Sequence, residues 1–339
     1  MIFENVSLLS LSCVDAPHII PSSEIERQLA PVLAKIGSKP NLIERSVGIK
    51  NRRFWDPGVQ PSEVATEGGR QAIEQAGIDK SKIGLLINTS VCKDYIEPSI
   101  ASIVHGNLQL SPTCFNFDVG DACMGFMDGM VLAGQLIESG QVEYALIVDG
   151  EGSREFVEAT IERLLNAPPD KELFRKHFAT LTMGSGAVGA LLCRSDAHPD
   201  AHAFNGGYHF ASTQGNSQLC VGQRHELLTD SHGLLAASLE AASQCNDMVM
   251  NEHGWKDRPV DEIVIHQVST VNTRKIAQAI DLDMSKLYLT FPEYGNIGPA
   301  SLPITLYKSH EAGRIQKGDR ILLMGMGSGI NCCIMELIW

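Results

Sequence analysis

The sequence has little positive charge, few aromatic residues and no long apolar run. Of its 339 residues, 27 are Lys or Arg and 40 are Asp or Glu, so the net charge is −13 with His neutral. This balance makes non-specific nucleic-acid binding a poor fit, and any acidic partner would need a local basic patch. No stretch reaches the roughly 18 uninterrupted apolar residues of a membrane helix. We therefore predict no nucleic-acid partner and no membrane span.

The chain also lacks the features of a secreted protein. Residues 1–5 carry no basic start of the kind that opens a signal peptide. The number of cysteines is odd and no two are spaced as CxxC, so a disulfide framework is not expected. We interpret the cysteines as reduced thiols of a cytoplasmic protein, most of them core residues: Cys13, Cys92, Cys114, Cys123, Cys193, Cys220, Cys245, Cys332 and Cys333.

Apolar residues make up 44% of the sequence, enough for about two domains of roughly 150 residues. Strand-like and helix-like runs alternate, which is typical of an α/β fold with buried strands. A capping box at 23–26 predicts a helix that ends near residue 36, and residues 287–290 predict a strand. The polar stretch 194–216 is expected to be irregular and to contain the boundary between two halves. The other predicted strands cover 6–11, 85–88, 115–119, 144–148, 187–193, 263–265 and 320–324, and the other predicted helices cover 65–76, 123–139, 234–250, 273–280 and 300–312.

The two halves show a weak internal duplication. Residues 140–148 are similar to 313–324, and 17 positions separate Cys123 from Gly140, as they separate Asn296 from Gly313. The duplication places Cys123 and Asn296 at equivalent helix starts, while His266 follows a predicted strand. In open parallel sheets, ligands meet residues at these positions.

Cys123 follows a strand and a tight turn, at the start of an apolar helix. A helix N-terminus favours negative charge, so we expect a lowered thiol pKa and an available thiolate. Taken singly, each candidate has a simpler interpretation. Cys123 alone would be interpreted as a buried structural cysteine, His266 as a hydrogen-bonded core histidine, and Asn296 as a turn residue. The combination of the three at strand ends and helix starts favours a catalytic site.

Four segments, in this order, resemble the thiolase superfamily, and specifically the condensing enzymes related to ketoacyl synthase III. They are the nucleophile turn 118–126 (DVGDACMGF), IHQ at 265–267, GNIGPAS at 295–301 and the terminal GMGSG at 325–329. The resemblance implies a thiolase-like, five-layered αβαβα fold of two similar halves and a homodimer. Residues 1–195 would form the half carrying the nucleophilic cysteine, and residues 196–339 the half carrying the histidine and asparagine.

The resemblance also assigns roles. Cys123 would accept the acyl group, and His266 and Asn296 would bind the enolate oxygen of the second substrate. The backbone N–H groups of Cys123 and Ser328 would form the oxyanion hole for acyl transfer. The glycines of the terminal turn would allow close approach of the backbone to the substrate.

Two positions depart from ketoacyl synthase III. The family's His-Gln-Ala-Asn is here His266-Gln267-Val268-Ser269, and the loop that presents an apolar residue to the partner's acyl pocket here holds Glu97. A loop carboxylate is ordinarily just solvated. In an apolar pocket of the partner subunit, desolvation would instead make Glu97 a base. This set of residues resembles the thiolases of olefin biosynthesis, which join two long acyl-CoA molecules head to head, and glutamate-bearing relatives that make pyrones and dialkylresorcinols.

Weaker candidates concern CoA and metal. Arg52, Arg53 and Trp55 could touch a CoA phosphate or adenine, with a structural turn as the alternative. Arg274 and the following Lys275 could meet phosphopantetheine phosphates, with a solvated helix start as the alternative. Three histidines suggest a metal only weakly, because no helical spacing relates them and no Cys or Glu completes the set: His198, His202 and His209.

We therefore predict a cytoplasmic, homodimeric acyltransferase that condenses two fatty acyl-CoA molecules without decarboxylation, through an acyl-Cys123 intermediate, to a 2-alkyl-3-ketoacyl-CoA. No cofactor is expected, because CoA thioesters are the substrates. One alternative is decarboxylative condensation by a 3-oxoacyl-[acyl-carrier-protein] synthase III, or a pyrone- or resorcinol-forming ketosynthase. An alternative of another class is an inactive acyl-binding homologue. An acyl carrier protein and downstream enzymes of the same pathway remain candidate partners.

Overall fold

The computed structural model describes residues 1–223 and 226–339. The strands are β1 (Val6–Asp15), β2 (His18–Pro21), β3 (Asn51–Phe54), β4 (Ile83–Asn88), β5 (Phe115–Asp118), β6 (Tyr144–Glu151), β7 (Gly186–Arg194), β8 (His202–Ala211), β9 (Cys220–Gln223), β10 (Glu226–Thr229), β11 (Glu262–Ile265), β12 (Arg320–Gly327) and β13 (Asn331–Ile338). The α-helices are α1 (Ser22–Gln28), α2 (Ala30–Lys35), α3 (Leu42–Val47), α4 (Pro61–Ala76), α5 (Ile100–Leu108), α6 (Gly125–Glu138), α7 (Arg154–Asn166), α8 (Lys171–His177), α9 (Ser231–Asp247), α10 (Thr270–Ala279), α11 (Phe291–Tyr294) and α12 (Ser301–Glu311). Short 3₁₀ segments lie at Lys80–Lys82, Thr180–Thr182, Met284–Lys286 and Gly298–Ala300, and a π segment, Met248–Glu252, follows α9.

The main strands form one nine-stranded sheet in the order β11-β12-β13-β8-β1-β7-β6-β4-β5. Strand β4 runs parallel to β5 and β6, and β11 runs parallel to β12. Read outward from the centre, β1-β7-β6-β4 and β8-β13-β12-β11 follow the same topology. Only the pairs Ser7–Ala203 and Leu8–His202 join β1 to β8. The predicted division into 1–195 and 196–339 falls between β7 and β8.

Alternating strand residues supply two different apolar layers. On β4 and β6, Ile87 and Ile147 face a central cluster with residues of α6 and α12, while Leu86 and Leu146 face an outer cluster with α4 and α5. In the second half, strand residues and helix α9 form another outer cluster, to which Ile276 of α10 adds. Strands buried on both faces explain the continuous apolar runs in the sequence. The resulting layers confirm the predicted thiolase-like αβαβα fold.

The expectation of irregular structure over 194–216 is wrong for β8. This strand is polar and glycine-containing, yet it pairs antiparallel with the buried strand β13 from Asn331–Ala211 to Ile338–Ala203. At Gly206 the backbone has a φ of 71°, which favours glycine. Pairing with a neighbour distant in sequence, rather than local hydrophobicity, determines this strand.

The predicted capping box does not form. Helix α1 starts at Ser22 after Pro21 and has no side-chain cap. It ends at Gln28, and Leu29 separates it from α2. The carboxylate of Glu26 instead accepts the backbone N–H of Ile43 at 2.8 Å. The side chain expected to cap its own helix therefore satisfies the first turn of α3.

The predicted strand at 287–290 reduces to a single parallel bridge between Leu287 and Ile263. The side chain of Gln267 takes the place of a strand partner here. Its Nε2 donates to Tyr288 O at 2.6 Å, and its Oε1 accepts the N–H of Thr290 at 2.9 Å. Among the described residues, no helix is long and apolar enough to cross a membrane.

Candidate active site

Cys123 lies in the turn between β5 and α6. Helix α6 begins at Gly125, two residues after the thiol, so the prediction that the helix starts at Cys123 is wrong. Ala122 has a φ of 44°, in the left-handed region that non-glycine residues rarely adopt. Cys123 is half-buried, whereas six of the other eight cysteines are buried. The turn thus presents a partly accessible thiol at the end of the edge strand β5.

Burial raises the pKa of the Cys123 thiol to about 12, and nearby acidic groups add to the shift. The expected lowering by the helix N-terminus is therefore wrong for the unliganded protein. The thiol lies outside the first turn of α6, and the groups acting on it all disfavour negative charge: Cys220, Glu151, Asp149 and Asp121. The resting nucleophile is a thiol rather than a thiolate.

His266 follows the last residue of β11. Its backbone N–H donates to Met324 O at 3.0 Å, which extends the pairing of β11 with β12 beyond the strand end. The Nδ1 atom is buried and has no hydrogen-bond partner among the described residues. Burial lowers the pKa of His266 to about 4, so the imidazole is neutral at physiological pH. A neutral imidazole can donate one hydrogen bond to a developing negative charge.

Asn296 lies in the turn before the 3₁₀ segment 298–300. Its backbone N–H donates to Thr182 O at 3.0 Å, and its backbone O accepts the N–H of Gly184 at 2.9 Å. Its side-chain Oδ1 accepts the N–H of Gly298 at 3.0 Å. This bond fixes the amide orientation and leaves the Nδ2 group as the donor toward a ligand.

The glycines at the end of β12 permit close packing against the nucleophile turn. A Cβ atom on Gly325 would lie 2.6 Å from Met124 Sδ, and one on Gly327 would lie 3.1 Å from Asp121 O. The terminal turn that contains Ser328 therefore follows directly from a strand end packed on the residues around Cys123. The assignment of the backbone N–H groups of Cys123 and Ser328 to one oxyanion hole stays a prediction.

The end of β12 thus connects two of the candidate positions, His266 and the Cys123 turn. Met324 binds the backbone of His266, and the next residue, Gly325, packs on Met124, which follows Cys123. Asn296 lies in the same region, because a Cβ atom on Gly298 would lie 3.7 Å from the carboxylate carbon of Glu151, whose charge raises the pKa of Cys123.

Glu97 lies apart from these residues, in an exposed loop between β4 and α5. Its neighbour Ile96 is 99% exposed and Tyr95 is 58% exposed. The base of the loop is fixed, because Lys93 Nζ binds Asp118 Oδ2 at 2.5 Å. Within one chain the tip is therefore an uncovered apolar loop that carries a carboxylate.

Sequence reasoning missed a buried acid pair at the end of β6. Glu151 accepts the backbone N–H groups of Val91 at 2.6 Å and Cys92 at 3.3 Å. Asp149 accepts the hydroxyl of Thr89 at 2.6 Å. Burial raises the pKa of Glu151 to about 7 and that of Asp149 well above its usual value. The signal was visible as two acidic residues at the end of an otherwise apolar strand.

Two of the proposed CoA contacts are corrected by the structure. Arg52 is fully buried and donates to Leu181 O at 2.5 Å and Ser22 Oγ at 2.7 Å. Trp55 is buried and donates its indole N–H to Glu151 O at 2.9 Å. Both side chains are committed to the protein interior by partners that the sequence does not reveal.

The other proposed CoA contacts differ in accessibility. Arg53 is half-buried, donates to Ala16 O at 3.1 Å and lies over the ring of Tyr294. Arg274 and Lys275 are exposed on α10. Of these residues, only Arg274 and Lys275 therefore offer a freely accessible cation.

The three histidines considered for a metal have separate partners. His198 binds the hydroxyl of Tyr144, His202 stacks on Trp339, and His209 lies 3.1 Å from Asp128. The described part of the chain contains no group of three or more His, Cys, Asp or Glu side chains arranged to hold a metal ion.

A narrow apolar pocket of about 30 Å³ borders His266. This volume accommodates a water molecule but not an acyl chain. Met324 and Met326 are part of its wall, and unbranched thioether side chains rearrange readily. The remaining wall is lined by Ala242, Cys245, Ile265, Ile276, Ile280, Gly325, Cys332, Cys333 and Ile334.

Comparison with known families agrees with this geometry. Residues 117–204 match 3-oxoacyl-[acyl-carrier-protein] synthase III, and residues 250–339 match the C-terminal part of the same family. The chain belongs to this family of condensing acyltransferases in the thiolase superfamily, as its sequence motifs predict. It is 28% identical over 300 residues to the β-ketoacyl-[acyl-carrier-protein] synthase III of Neisseria meningitidis serogroup C, covering 87% of this chain and 89% of the relative.

Two relatives match this chain over the whole length of both proteins. The acyl-CoA:acyl-CoA alkyltransferase of Xanthomonas campestris pv. campestris is 43% identical over 339 residues. The acyl-CoA:acyl-CoA alkyltransferase of Shewanella oneidensis is 32% identical over 351 aligned positions. The aligned region therefore spans the nucleophile turn, the Glu97 loop and the terminal turn.

Solved structures of Xanthomonas campestris OleA share the fold closely. A variant with one glutamate replaced by alanine superposes with a TM-score of 0.97 at 42% identity, covering 100% of this chain and 99% of the other. A cysteine-to-serine variant holding lauric acid and lauroyl-CoA gives a TM-score of 0.96 at 42% identity, covering 99% of this chain and 100% of the other. Another of these structures replaces a histidine by alanine.

Proposed function

We propose that the protein joins two fatty acyl-CoA molecules head to head, without decarboxylation, to give a 2-alkyl-3-ketoacyl-CoA and free CoA. The observation that carries the proposal is the packing of the strand end at 324–327 between His266 and the Cys123 turn. Full-length similarity to two acyl-CoA:acyl-CoA alkyltransferases supports the reaction type. The lauroyl-CoA bound to a cysteine variant of OleA supports the substrate class.

In the first half-reaction, the sulfur of Cys123 attacks the thioester carbonyl of one acyl-CoA. The S–H proton leaves the cysteine, a new C–S bond forms, and the bond to CoA breaks, so that CoA departs as its thiol. The backbone N–H groups of Cys123 and Ser328 hold the oxyanion of the tetrahedral intermediate. No cofactor is required, because both reactants are activated thioesters.

In the second half-reaction, Glu97 of the partner subunit removes the α-proton of a second acyl-CoA. His266 and Asn296 donate hydrogen bonds to the enolate oxygen. The α-carbon attacks the acyl-Cys123 carbonyl, a C–C bond forms, and the C–S bond to Cys123 breaks. The released Cys123 thiolate takes up one proton and the protonated Glu97 gives one up, so that the resting thiol and the carboxylate base are both restored.

A homodimer supplies what one chain lacks. Strand β5 lies at the edge of the sheet and exposes Phe115 by 62%. An edge strand has unpaired backbone groups that can bind another chain, and an exposed apolar residue on it favours such a contact. The neighbouring loop exposes Tyr95 and Ile96 beside Glu97. A second copy at this edge would cover the loop tip and desolvate the carboxylate. Nine free thiols support a reducing, cytoplasmic location.

The relative's variants point to the same residue types. In solved OleA structures, a glutamate, a cysteine and a histidine are each substituted. Glu97, Cys123 and His266 are the residues of these types that the motifs single out in this chain. We therefore keep their proposed roles, and Asn296 as the second donor.

The decisive test is product analysis. The purified protein is incubated with one long-chain acyl-CoA, with and without malonyl-CoA, and the products are identified by mass spectrometry. The proposal expects a 2-alkyl-3-ketoacyl-CoA from acyl-CoA alone and no product with Cys123→Ala. A strict requirement for malonyl substrate would replace the proposal with decarboxylative condensation. Acyl binding without any product would favour the inactive homologue.

A further inference from the structure

A hydrogen-bonded pair connects the nucleophile turn to the terminal turn. Asn331 Nδ2 donates to both carboxylate oxygens of Asp121, at 2.9 and 3.1 Å. The two residues are 210 positions apart. Asp121 lies two residues before Cys123, and Asn331 lies three residues after Ser328. The pair thus spans the two backbone segments that carry the proposed oxyanion-hole donors.

Backbone contacts reinforce this connection. Asp121 forms a bridge with Cys123, which fixes the turn around Ala122. A Cβ atom on Gly327 would lie 3.1 Å from Asp121 O, so the strand end packs directly on the same residue. Asp121 therefore contacts the neighbour of Ser328 through its backbone and the next strand through its side chain.

We propose that Asp121 and Asn331 are positioning residues that set the distance between the backbone N–H groups of Cys123 and Ser328. This inference rests on the proposed function, since it assigns a role to two residues through that oxyanion hole. It predicts that the pair acts on acyl transfer although neither side chain touches the acyl group.

The surroundings of the pair favour a positional role over a stabilising one. Asp128 adds a second carboxylate beside Asp121, and His209 Nε2 lies 3.1 Å from Asp128 Oδ1. Burial and the neighbouring Asp128 raise the pKa of Asp121 to about 6, although the hydrogen bond from Asn331 and the charge of His209 act to lower it. A carboxylate in these surroundings is electrostatically unfavourable, and its bidentate contact to Asn331 fixes the geometry between two turns.

Small displacements at such a site have large consequences. A misplacement of about 1 Å can cost about 10² in rate, and loss of one oxyanion donor costs about 10²–10³. The oxyanion-hole donors act on the transition state. Loss of the pair should therefore lower the maximal acylation rate and leave the acyl-CoA concentration at half-maximal rate unchanged.

The test compares acylation kinetics in a charge-swap series. The rate of acyl-Cys123 formation is measured by intact-protein mass spectrometry over a range of lauroyl-CoA concentrations. The variants are Asn331→Leu, Asp121→Asn, Asn331→Asp and the double swap Asp121→Asn/Asn331→Asp. The matched control is Asn205→Leu, which removes an amide–carboxylate bond of 2.6 Å to Glu336 in the same sheet. Thermal melting is recorded for each, and acylation is compared well below every midpoint.

Asn331→Leu should lower the maximal rate by about 10–100-fold at unchanged half-saturation, and Asn331→Asp should lower it further because two carboxylates then face each other. Asp121→Asn retains one hydrogen bond and should fall between Asn331→Leu and the unmodified protein. The double swap should return the rate to within a few-fold of unmodified, and Asn205→Leu should leave it unchanged.

An unchanged acylation rate in Asn331→Leu, or a double swap as slow as Asn331→Asp, would overturn the positioning role. Either result would leave the proposed function intact. If Asn331→Asp does not fold, the other three variants carry the same comparison. If Asn205→Leu lowered the maximal acylation rate as much as Asn331→Leu, the pair would contribute only to the general stability of the fold, and the positioning role would be wrong. Absence of acyl-Cys123 in the unmodified protein would overturn the proposed function itself, and this inference with it.

Discussion

The nucleophile turn and the Glu97 loop follow neighbouring strands of the same sheet, but they differ in how completely one chain holds them. The turn around Cys123 is packed by the end of β12 and tied to Asn331. The loop tip around Glu97 is exposed, with Ile96 beside it uncovered. With the proposed roles, one chain would complete the acyl-transfer part of the site and leave the condensation part incomplete.

This difference predicts that the two half-reactions separate under mutation. Changes at the packed turn should abolish both, because condensation needs the acyl-enzyme. Changes at the exposed loop should spare acylation and remove only condensation. His266 and Asn296 are proposed to act in the second half-reaction, although they lie in the same chain as Cys123. Their variants therefore test whether the half-reactions separate by chemical role or by the chain that supplies the residue.

The largest effect is expected for Cys123→Ala, which removes the only proposed acyl acceptor. Incubation with a long-chain acyl-CoA should give one acyl adduct in the unmodified protein and none in the variant, as measured by intact mass. Cys13→Ala, which removes another half-buried thiol, should keep the adduct. An adduct that survives in Cys123→Ala would assign the acyl group to another residue.

His266→Ala and Asn296→Ala should lower the condensation rate by about 10²–10³, the usual effect of losing one oxyanion donor. Acyl-Cys123 should still form in both, because these side chains hold the second substrate. Product formation and adduct formation are measured on the same samples. Loss of the adduct itself in His266→Ala would contradict this division of roles.

A smaller, graded effect is expected from pH. Burial raises the pKa of the Cys123 thiol to about 12, so well below that pH the thiolate fraction rises tenfold per unit. At low acyl-CoA concentration, acylation should therefore speed up roughly 100-fold between pH 6.5 and 8.5. A rate independent of pH would show instead that a neighbouring group takes the thiol proton before attack.

The parts of the fold and the site that depend on local sequence motifs could be predicted from the sequence. The parts that depend on contacts between residues distant in sequence could not. Cys123, His266 and Asn296 stand in short local motifs, so their positions near strand ends and turns followed from pattern. The predicted helix starts at Cys123 and Asn296 are wrong, because α6 begins at Gly125 and α12 at Ser301. The pKa of Cys123 did not follow from pattern, because burial by distant parts of the chain raises it, and the charges of Glu151 and Asp149 from another strand add to the shift.

The remaining errors have the same origin. Arg52 and Trp55 look accessible in the sequence, but Leu181 and Glu151 bind them in the interior. The pairing of β8 with β13 and the link between residues 121 and 331 join positions more than a hundred residues apart. Long-range partners of this kind leave no local signal.

The Glu97→Gln variant addresses the exposed loop. It keeps the size of the side chain but removes the base, so acyl-Cys123 should form normally while condensation from acyl-CoA alone falls to a trace. Glu44→Gln, at another exposed glutamate, should change neither step. Full activity of Glu97→Gln would remove the basis for non-decarboxylative condensation.

The most direct test of the central claim, that two chains share each condensation site, is mixing of inactive subunits. Glu97→Gln and Cys123→Ala chains are combined by co-expression, and condensation is measured from acyl-CoA alone. If Glu97 acts on the partner's site, about one quarter of unmodified activity should return, because half of the dimers are mixed and each has one complete site of two. Mixing unmodified chains with the double variant is the control. Its mixed dimers hold no complete shared site, so only the unmodified homodimers act and about one quarter of the activity is expected, against about one half if Glu97 and Cys123 of the same chain formed the site. No recovery in mixed dimers of Glu97→Gln and Cys123→Ala would contradict the shared site.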